Sequence, residues 1–258
     1  VYVTTAVASA GSATVRTGDA SRAGIGAAPD MVSHTWHLLA IDKTTGAIVW
    51  NREAYTGTPR VKRHVKASHA SATPATNGRV IVALLGSEGL FCFDMDGTLK
   101  WRQDLGALAV GLADDPTYEW GPASSPIVDG NLVFVQNDRY KDSYVAAFDL
   151  ATGKQVWRTN RDIGKGLPIR SGWATPYIWR HGSNTEIVAI GPGQAISYDL
   201  TGKELWRLSG MSANSIPTPF AYEGLLYVNA GRGRTLFAIR PGAKGDISLG
   251  KDQTSNEH

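Results

Sequence analysis

The chain has 258 residues, 42% of them hydrophobic and 19% charged, a globular balance that excludes a disordered or fibrous chain. Its net charge of +3 is too small to point to nucleic acid, and no apolar run approaches the roughly 18 residues a membrane-spanning helix needs. The single Cys92 excludes an intrachain disulfide and a cysteine-built zinc site, while 29 glycines and eight tryptophans favour an all-β chain with many turns.

In chain order, 1–7, 36–42 and 47–51 read as strands. The last two are joined by Ala40-Ile41-Asp42-Lys43-Thr44-Thr45-Gly46-Ala47-Ile48-Val49-Trp50. The same unit returns at 147–157, and one residue shorter as Phe93-Asp94-Met95-Asp96-Gly97-Thr98-Leu99-Lys100-Trp101 and as Tyr198-Asp199-Leu200-Thr201-Gly202-Lys203-Glu204-Leu205-Trp206. Its tryptophans stand 51, 56 and 49 residues apart, the spacing of a repeat architecture. Each residue has a physical task. Asp42, Asp94, Asp149 and Asp199 can accept backbone N–H bonds two residues on and so open a turn. Gly46, Gly97, Gly153 and Gly202 supply a positive φ. Trp50, Trp101, Trp157 and Trp206 offer a flat surface to a neighbouring repeat.

A second landmark precedes each hairpin: Ser71-Ala72-Thr73-Pro74, Ser124-Ser125-Pro126, Ala174-Thr175-Pro176 and Pro217-Thr218-Pro219. Each leads into a short strand, a turn and a stronger strand, at 80–85, 132–136, 186–190 and 225–229. Four short strands at this period predict four-stranded antiparallel propeller blades. The whole of 1–258 then reads as one β-propeller domain, with blades at about 1–53 (partial), 54–104, 105–160, 161–209 and 210–249 and no element beyond 250. The first blade lacks its innermost strand and the chain does not start with Met, so a partial ring from a longer protein is expected. Strand direction places the long segments 8–35, 54–68, 105–123 and 161–171 on one face, where binding is expected.

The unit at 147–157, Ala-x-Asp-x-x-Thr-Gly-Lys-x-x-Trp, with its three variants, resembles the tryptophan-docking repeat of the PQQ-like β-propeller family, within the quinoprotein alcohol dehydrogenase-like superfamily. The likeness is greatest to its non-catalytic bacterial repeat proteins and the outer-membrane assembly lipoprotein type. The resemblance implies a ring of about eight blades and a bacterial periplasmic, envelope-associated or extracellular location. Its catalytic members imply pyrroloquinoline quinone with calcium, set against a pair of adjacent cysteines. This chain has only Cys92, in an apolar strand between Phe91 and Phe93, and no haem-attachment motif, so no cofactor is expected.

Candidate site residues lie mostly in the non-repeating segments. Arg60, Lys62, Arg63, His64 and Lys66, with His69 beyond, form a basic edge suited to an acidic partner, and equally an ordinary solvated loop. Asp114, Asp115 and Glu119 form an acidic loop with the oxygens calcium prefers but without regular calcium-loop spacing. Trp120, Trp173 and Trp179 fall outside the docking unit, where they could stack a ligand or pack between blades; Arg170 and Asn214 flank inner strands. His34 and His37 point to opposite faces of one strand, so no shared metal, and no metal site, is expected. Gly231-Arg232-Gly233-Arg234 has no helix after it and fails as a nucleotide loop. The reading is a non-catalytic binding or scaffold propeller engaging a protein or an anionic or carbohydrate polymer. The alternatives are part of a quinone-dependent dehydrogenase and a carbohydrate-binding propeller. Membrane attachment would have to come from an N-terminal lipid anchor outside the sequence.

Overall fold

The structure, a computed structural model, describes residues 1–9, 26–28, 30–112, 118–167, 169–231 and 235–258. Short apolar runs punctuated by glycine turns give strands, and among the described residues the one named helical element is a 3-10 turn at Gly86–Glu88. No helix among them is long and apolar enough to cross a membrane.

The strands build five small sheets. The first is β1 (Tyr2–Ala8), β2 (His34–Ile41) and β3 (Ile48–Gly57), in that order. Burial along β2 alternates residue by residue, as the pleat requires when one face is packed. The second sheet is β4 (Ala75–Thr76), β5 (Val80–Leu84), β6 (Leu90–Asp94) and β7 (Leu99–Gln103). Here β6 is buried on both faces up to its final Asp94, which explains its unbroken apolar run Leu90-Phe91-Cys92-Phe93. The third is β8 (Ile127–Asp129), β9 (Leu132–Asn137), β10 (Tyr144–Asp149) and β11 (Gln155–Asn160). The fourth runs β12 (Tyr177–His181), β13 (Asn184–Gly191), β14 (Gln194–Tyr198) and β15 (Glu204–Ser209). The fifth has β16 (Phe220–Tyr222), β17 (Leu225–Asn229) and β18 (Leu236–Ile239).

The all-β, blade-like organisation expected from the repeat is present. One pairing was not expected. A short β19 (Gly245–Asp246) adds to the fourth sheet, parallel to β15 with Trp206 opposite Gly245, so this stretch does not extend the fifth sheet. Its two residues carry too little pattern to be read as a strand.

The four Asp-to-Trp units fold alike. Asp42 Oδ1 accepts from the Thr45 amide at 2.7 Å, Asp94 Oδ1 from the Thr98 amide at 2.8 Å, Asp149 Oδ1 from the Thr152 amide at 2.8 Å and Asp199 Oδ1 from the Thr201 amide at 2.8 Å. The Thr45 amide, the Thr98 amide and the Thr152 hydroxyl are the chief causes that hold Asp42, Asp94 and Asp149 below the usual carboxylate range. Each unit also shifts register by one residue just before its Asp, at Ala40/Ile41, Cys92/Phe93, Ala147/Phe148 and Ser197/Tyr198. Such a bulge increases local twist and re-aims the returning strand.

Two compact units make up the chain. The first is Val1–Val133 with Asp149–Lys154, the second Phe134–Phe148 with Gln155–His258. The first has a core of Trp36, Leu38, Ile81, Leu85, Phe91 and Phe93. The second packs Trp179, Val188, Ile190, Trp206, Leu226 and Val228.

Within each unit, tryptophan joins one repeat to the next. Trp50 Nε1 donates to the Met95 carbonyl at 3.2 Å and Trp101 Nε1 to the Leu150 carbonyl at 2.9 Å in the first unit. Trp157 Nε1 donates to the Leu200 carbonyl at 2.9 Å in the second. Each acceptor directly follows the Asp of the next hairpin. Each indole also lies on the glycine of that hairpin. A Cβ built on Gly153 would meet Trp101 Cε3 at 2.5 Å, and one on Gly202 would meet Trp157 Cε3 at 2.6 Å, while Gly46 has open space. Trp206 departs from the pattern: its Nε1 turns to Glu186 Oε2 at 2.8 Å, in keeping with a fifth repeat that lacks the Asp and the Trp.

Gly153→Ala should therefore destabilise more than Gly46→Ala. Both place a side chain on a left-handed backbone, at φ 72° and 74°, which costs about 1–2 kcal/mol. Only Gly153→Ala also presses a methyl into an indole, adding ~1–3 kcal/mol. Denaturant unfolding of the two variants measures the difference; equal losses would show that Trp101 does not rest on Gly153.

Candidate functional site

In the first unit, the described parts of three long connecting segments meet. The Ala28 amide donates to the Arg63 carbonyl at 2.7 Å and the Val65 amide to the Gly26 carbonyl at 3.2 Å. The His64 amide donates to the Trp120 carbonyl at 3.0 Å, and the Lys62 amide to Glu119 Oε2 at 3.1 Å. These bonds tie 26–28, 60–70 and 118–122 into one surface. Glycine at 121 is needed there, because a Cβ would come within 3.0 Å of the Lys62 carbonyl oxygen.

This surface gathers seven of the sequence-predicted residues: Arg60, Lys62, Arg63, His64, Lys66, His69 and Trp120. They do not all face outward. Arg60 grips Asp104 through two bonds of 2.6 and 3.1 Å, and its amide donates to Glu88 Oε1. That guanidinium, with help from the Gly106 amide, holds the Asp104 carboxyl down at about 2. Arg63 turns inward, its Nε 2.7 Å and its Nη2 2.6 Å from Asp30 Oδ2, with Nη1 donating to the Ala67 carbonyl. His69, expected on an exposed edge, is buried and stacks edge-on against His34 with ring centres 4.8 Å apart. Burial pushes its imidazole down to about 4 against the pull of Asp30, so it is neutral near pH 7. The run is therefore only partly a basic edge: Lys66 is exposed, and Lys62, His64 and Trp120 are half-buried, with the His64 and Trp120 rings 6.0 Å apart.

His34 and His37 do point to opposite sides, since β2 buries one and half-exposes the other. The pair that forms instead is His34 with His69, joined by Asp30. All three are buried, and one ligand atom from each lies within 4.8 Å of the others. Sequence reasoning missed this group because Asp30 and His34 stand at the start of β2 while His69 follows β3. The Asp30-x-x-x-His34 spacing alone carries no such message outside a helix.

The other predicted residues, Arg170, Trp173 and Asn214, lie in the second unit. The Trp173 amide donates to the Ser215 carbonyl at 2.8 Å, and the Asn214 carbonyl accepts from Ser212 Oγ at 2.9 Å. The Arg170 guanidinium stands 5.3 Å over the Tyr140 ring. Trp179 belongs to the core. The centre of polarity here is a pair that sequence reasoning did not single out. Arg161 and Asp138 are wholly buried, with Nε to Oδ1 at 2.8 Å. Gln136 Nε2 donates to the same carboxylate, and Arg161 Nη1 donates to the Tyr198 hydroxyl. Desolvation opposes the Arg161 charge, but the Asp138 carboxylate outweighs it and holds the guanidinium charged. Asp114 and Asp115 of the acidic loop, Arg232–Arg234, and most of segment 8–35 lie outside the described residues.

A quinone with calcium does not fit these residues. Cys92 has no cysteine beside it, is fully buried between Phe91 and Phe93, and has its thiol pushed up to about 11 by burial. The one grouping of three His, Cys, Asp or Glu ligand atoms among the described residues contains two imidazoles, whereas calcium takes oxygens.

The sequence profile of the family described as outer membrane protein assembly factor BamB matches residues 35–178, more than half of the chain. Tetrathionate hydrolase of Acidithiobacillus ferrooxidans is 26% identical over 225 residues, covering 80% of this chain and 39% of that protein. Outer membrane protein assembly factor BamB of Bordetella pertussis is 25% identical over 158 residues, covering 59% and 37%. The chain thus spans about two fifths of the length of these curated relatives. Among solved structures, quinohemoprotein alcohol dehydrogenase from Comamonas testosteroni superposes with a TM-score of 0.50 at 15% identity, over 79% of this chain and 39% of that one, which speaks for the fold alone.

Two measurements check the site. The Asp104 carboxyl should titrate near 2 in an NMR pH series, and Arg60→Ala should return it toward 3.8. The stability this contact supplies is present above pH 3.8 and lost as pH falls through 2, because the folded pKa is the lower one. An unshifted Asp104 would mean that Arg60 is not held there. Arg161→Leu should cost about 3–5 kcal/mol by leaving Asp138 buried and unpaired, while Arg207→Ala, at the part-exposed pair with Glu204, should cost under ~1 kcal/mol.

Proposed function

The chain belongs to the family of the outer membrane protein assembly factor BamB, and from that premise we propose that it is part of a non-catalytic propeller of the bacterial envelope that binds a protein partner. The observation that carries this reading is the surface built from 26–28, 60–70 and 118–122. Its loops are cross-tied by backbone bonds, so a partner would meet a preformed face with little ordering cost. Within it, Lys66 is exposed and Lys62, His64 and Trp120 are half-buried, while Arg60 and Arg63 spend their charge on Asp104 and Asp30. A half-buried aromatic beside lysines suits an acidic protein segment better than a neutral one.

A second reading has one specific support. The chain is similar over 80% of its length to a relative named for an activity, tetrathionate hydrolase. The two readings separate in one set of experiments. A photo-reactive cross-linker placed at position 66 should give a discrete adduct with an envelope protein in intact cells. The adduct should fade when Lys62 and Trp120 are replaced by Glu and Ala, and a cross-linker at Lys244 should give none. Tetrathionate consumption that scales with the amount of purified chain, together with no adduct at position 66, would replace the binding reading by the enzymatic one.

A further inference from the structure

We propose that Asp30, His34 and His69 bind a single divalent transition-metal cation, of the zinc, cobalt or nickel kind, in the first unit. The inference is independent of the partner-binding reading.

Three observations meet at one point. The first is what the ligand atoms lack. Asp30 Oδ1 and His69 Nε2 are both buried, 3.6 Å apart, and neither has a hydrogen-bond partner. A buried acceptor left alone is unfavourable, and a cation between the two satisfies both at once. The second is how His34 is held. Its Nδ1–H donates to the Val32 carbonyl at 2.8 Å, which leaves the Nε2 lone pair directed toward Asp30 Oδ2 at 3.9 Å. A histidine fixed through one nitrogen by a backbone carbonyl, with the other presented inward, is how metal-binding imidazoles are oriented. The third is the carboxylate. Arg63 engages only Oδ2 of Asp30, which fixes the plane of the group and leaves Oδ1 available.

The spacing suits a small ion. Bonds of about 2.0–2.1 Å at tetrahedral angles put ligand atoms about 3.3 Å apart. The 3.6 Å between Asp30 Oδ1 and His69 Nε2 is close to this, and since one ligand atom from each of the three residues lies within 4.8 Å of the others, side-chain rotation closes the set around one ion. A water-sized cavity also borders His69, lined by Ser68, Ser87 and Glu88. The donor set decides the class of metal. Two neutral nitrogens and a carboxylate shared with arginine offer little net negative charge, so an ion held mainly by Coulomb attraction, such as calcium or magnesium, gains little. Metals that bond well to imidazole gain most. The bound ion would pin 30–34 to 60–70.

The test uses the full chain freed of metal with a chelator. Cobalt(II) titration should develop the visible absorption bands of a low-coordinate, nitrogen-ligated ion, saturating at one equivalent, and zinc should displace it. Zinc should also raise the unfolding temperature of the wild type. His34→Ala and His69→Ala should each weaken binding more than about tenfold, whereas His37→Ala, on the opposite face of the same strand, should leave it unchanged. Should the alanine variants unfold, the wild type alone still decides: zinc should shift the imidazole 15N resonances of His34 and His69 in NMR. No binding up to millimolar cobalt or zinc would overturn the proposal. So would binding that survives both substitutions, or that shifts only histidines outside the group, such as His258.

Discussion

One contact recurs and organises the rest: an indole laid on the glycine of the next hairpin, with its N–H on that hairpin's first turn carbonyl. Trp50 does this to Gly97 and Met95, Trp101 to Gly153 and Leu150, and Trp157 to Gly202 and Leu200. The glycine serves two requirements together. It takes the positive φ the turn needs, and at Gly153 and Gly202 it removes the Cβ that would lift the indole off, while at Gly97 a Cβ would first meet Arg52 Cγ at 2.6 Å and then Trp50 Cε3 at 3.2 Å. The aspartate stiffens the same turn by collecting its amides, so the carbonyl offered to the indole stays in place. The hairpin Asp149–Lys154 accordingly belongs to the first unit, where Trp101 docks on it.

Because the hairpins carry the packing between repeats, the connecting segments are free of the repeat's constraints and can differ from one another. That is where the non-periodic chemistry lies. In the first unit these segments bring Asp30 and His69 to His34, and they leave Lys66 exposed and Lys62, His64 and Trp120 half-buried. In the second, Arg161 and Asp138 form a buried pair bonded to Gln136 and Tyr198, and the adjoining bridge joins Asp138 to Gly172. Burial opposes both charges, so what the pair adds to stability is the small difference between their attraction and that cost.

The fold was legible because its signals are local. Asp, Gly and Trp stand within eleven residues of each other in every unit, and each acts through a turn or a strand end. Strands β5, β6, β9, β10 and β17 fall where their apolar runs place them, within a residue or two. The site was less legible because its contacts are not local. Nothing in Arg60-Val61-Lys62-Arg63-His64 says that Arg63 folds under to meet Asp30 while Lys66 stays out. His69 reads as one more basic residue until β2 brings His34 beside it, and nothing in the sequence around Arg161 says that it turns in to meet Asp138. β19 was missed for the opposite reason: Gly245–Asp246 has no pattern at all and pairs only because β15 leaves an edge open.

A double-mutant cycle on the docking contact tests the central claim most directly. Gly153→Ala is measured by denaturant unfolding in the wild type and again with Trp101→Leu already present. If the indole rests on the glycine, the alanine loses its steric part in the second background, and a coupling of about 1–3 kcal/mol appears between the two positions. A Gly153→Ala cost that is the same with and without the indole would contradict the account.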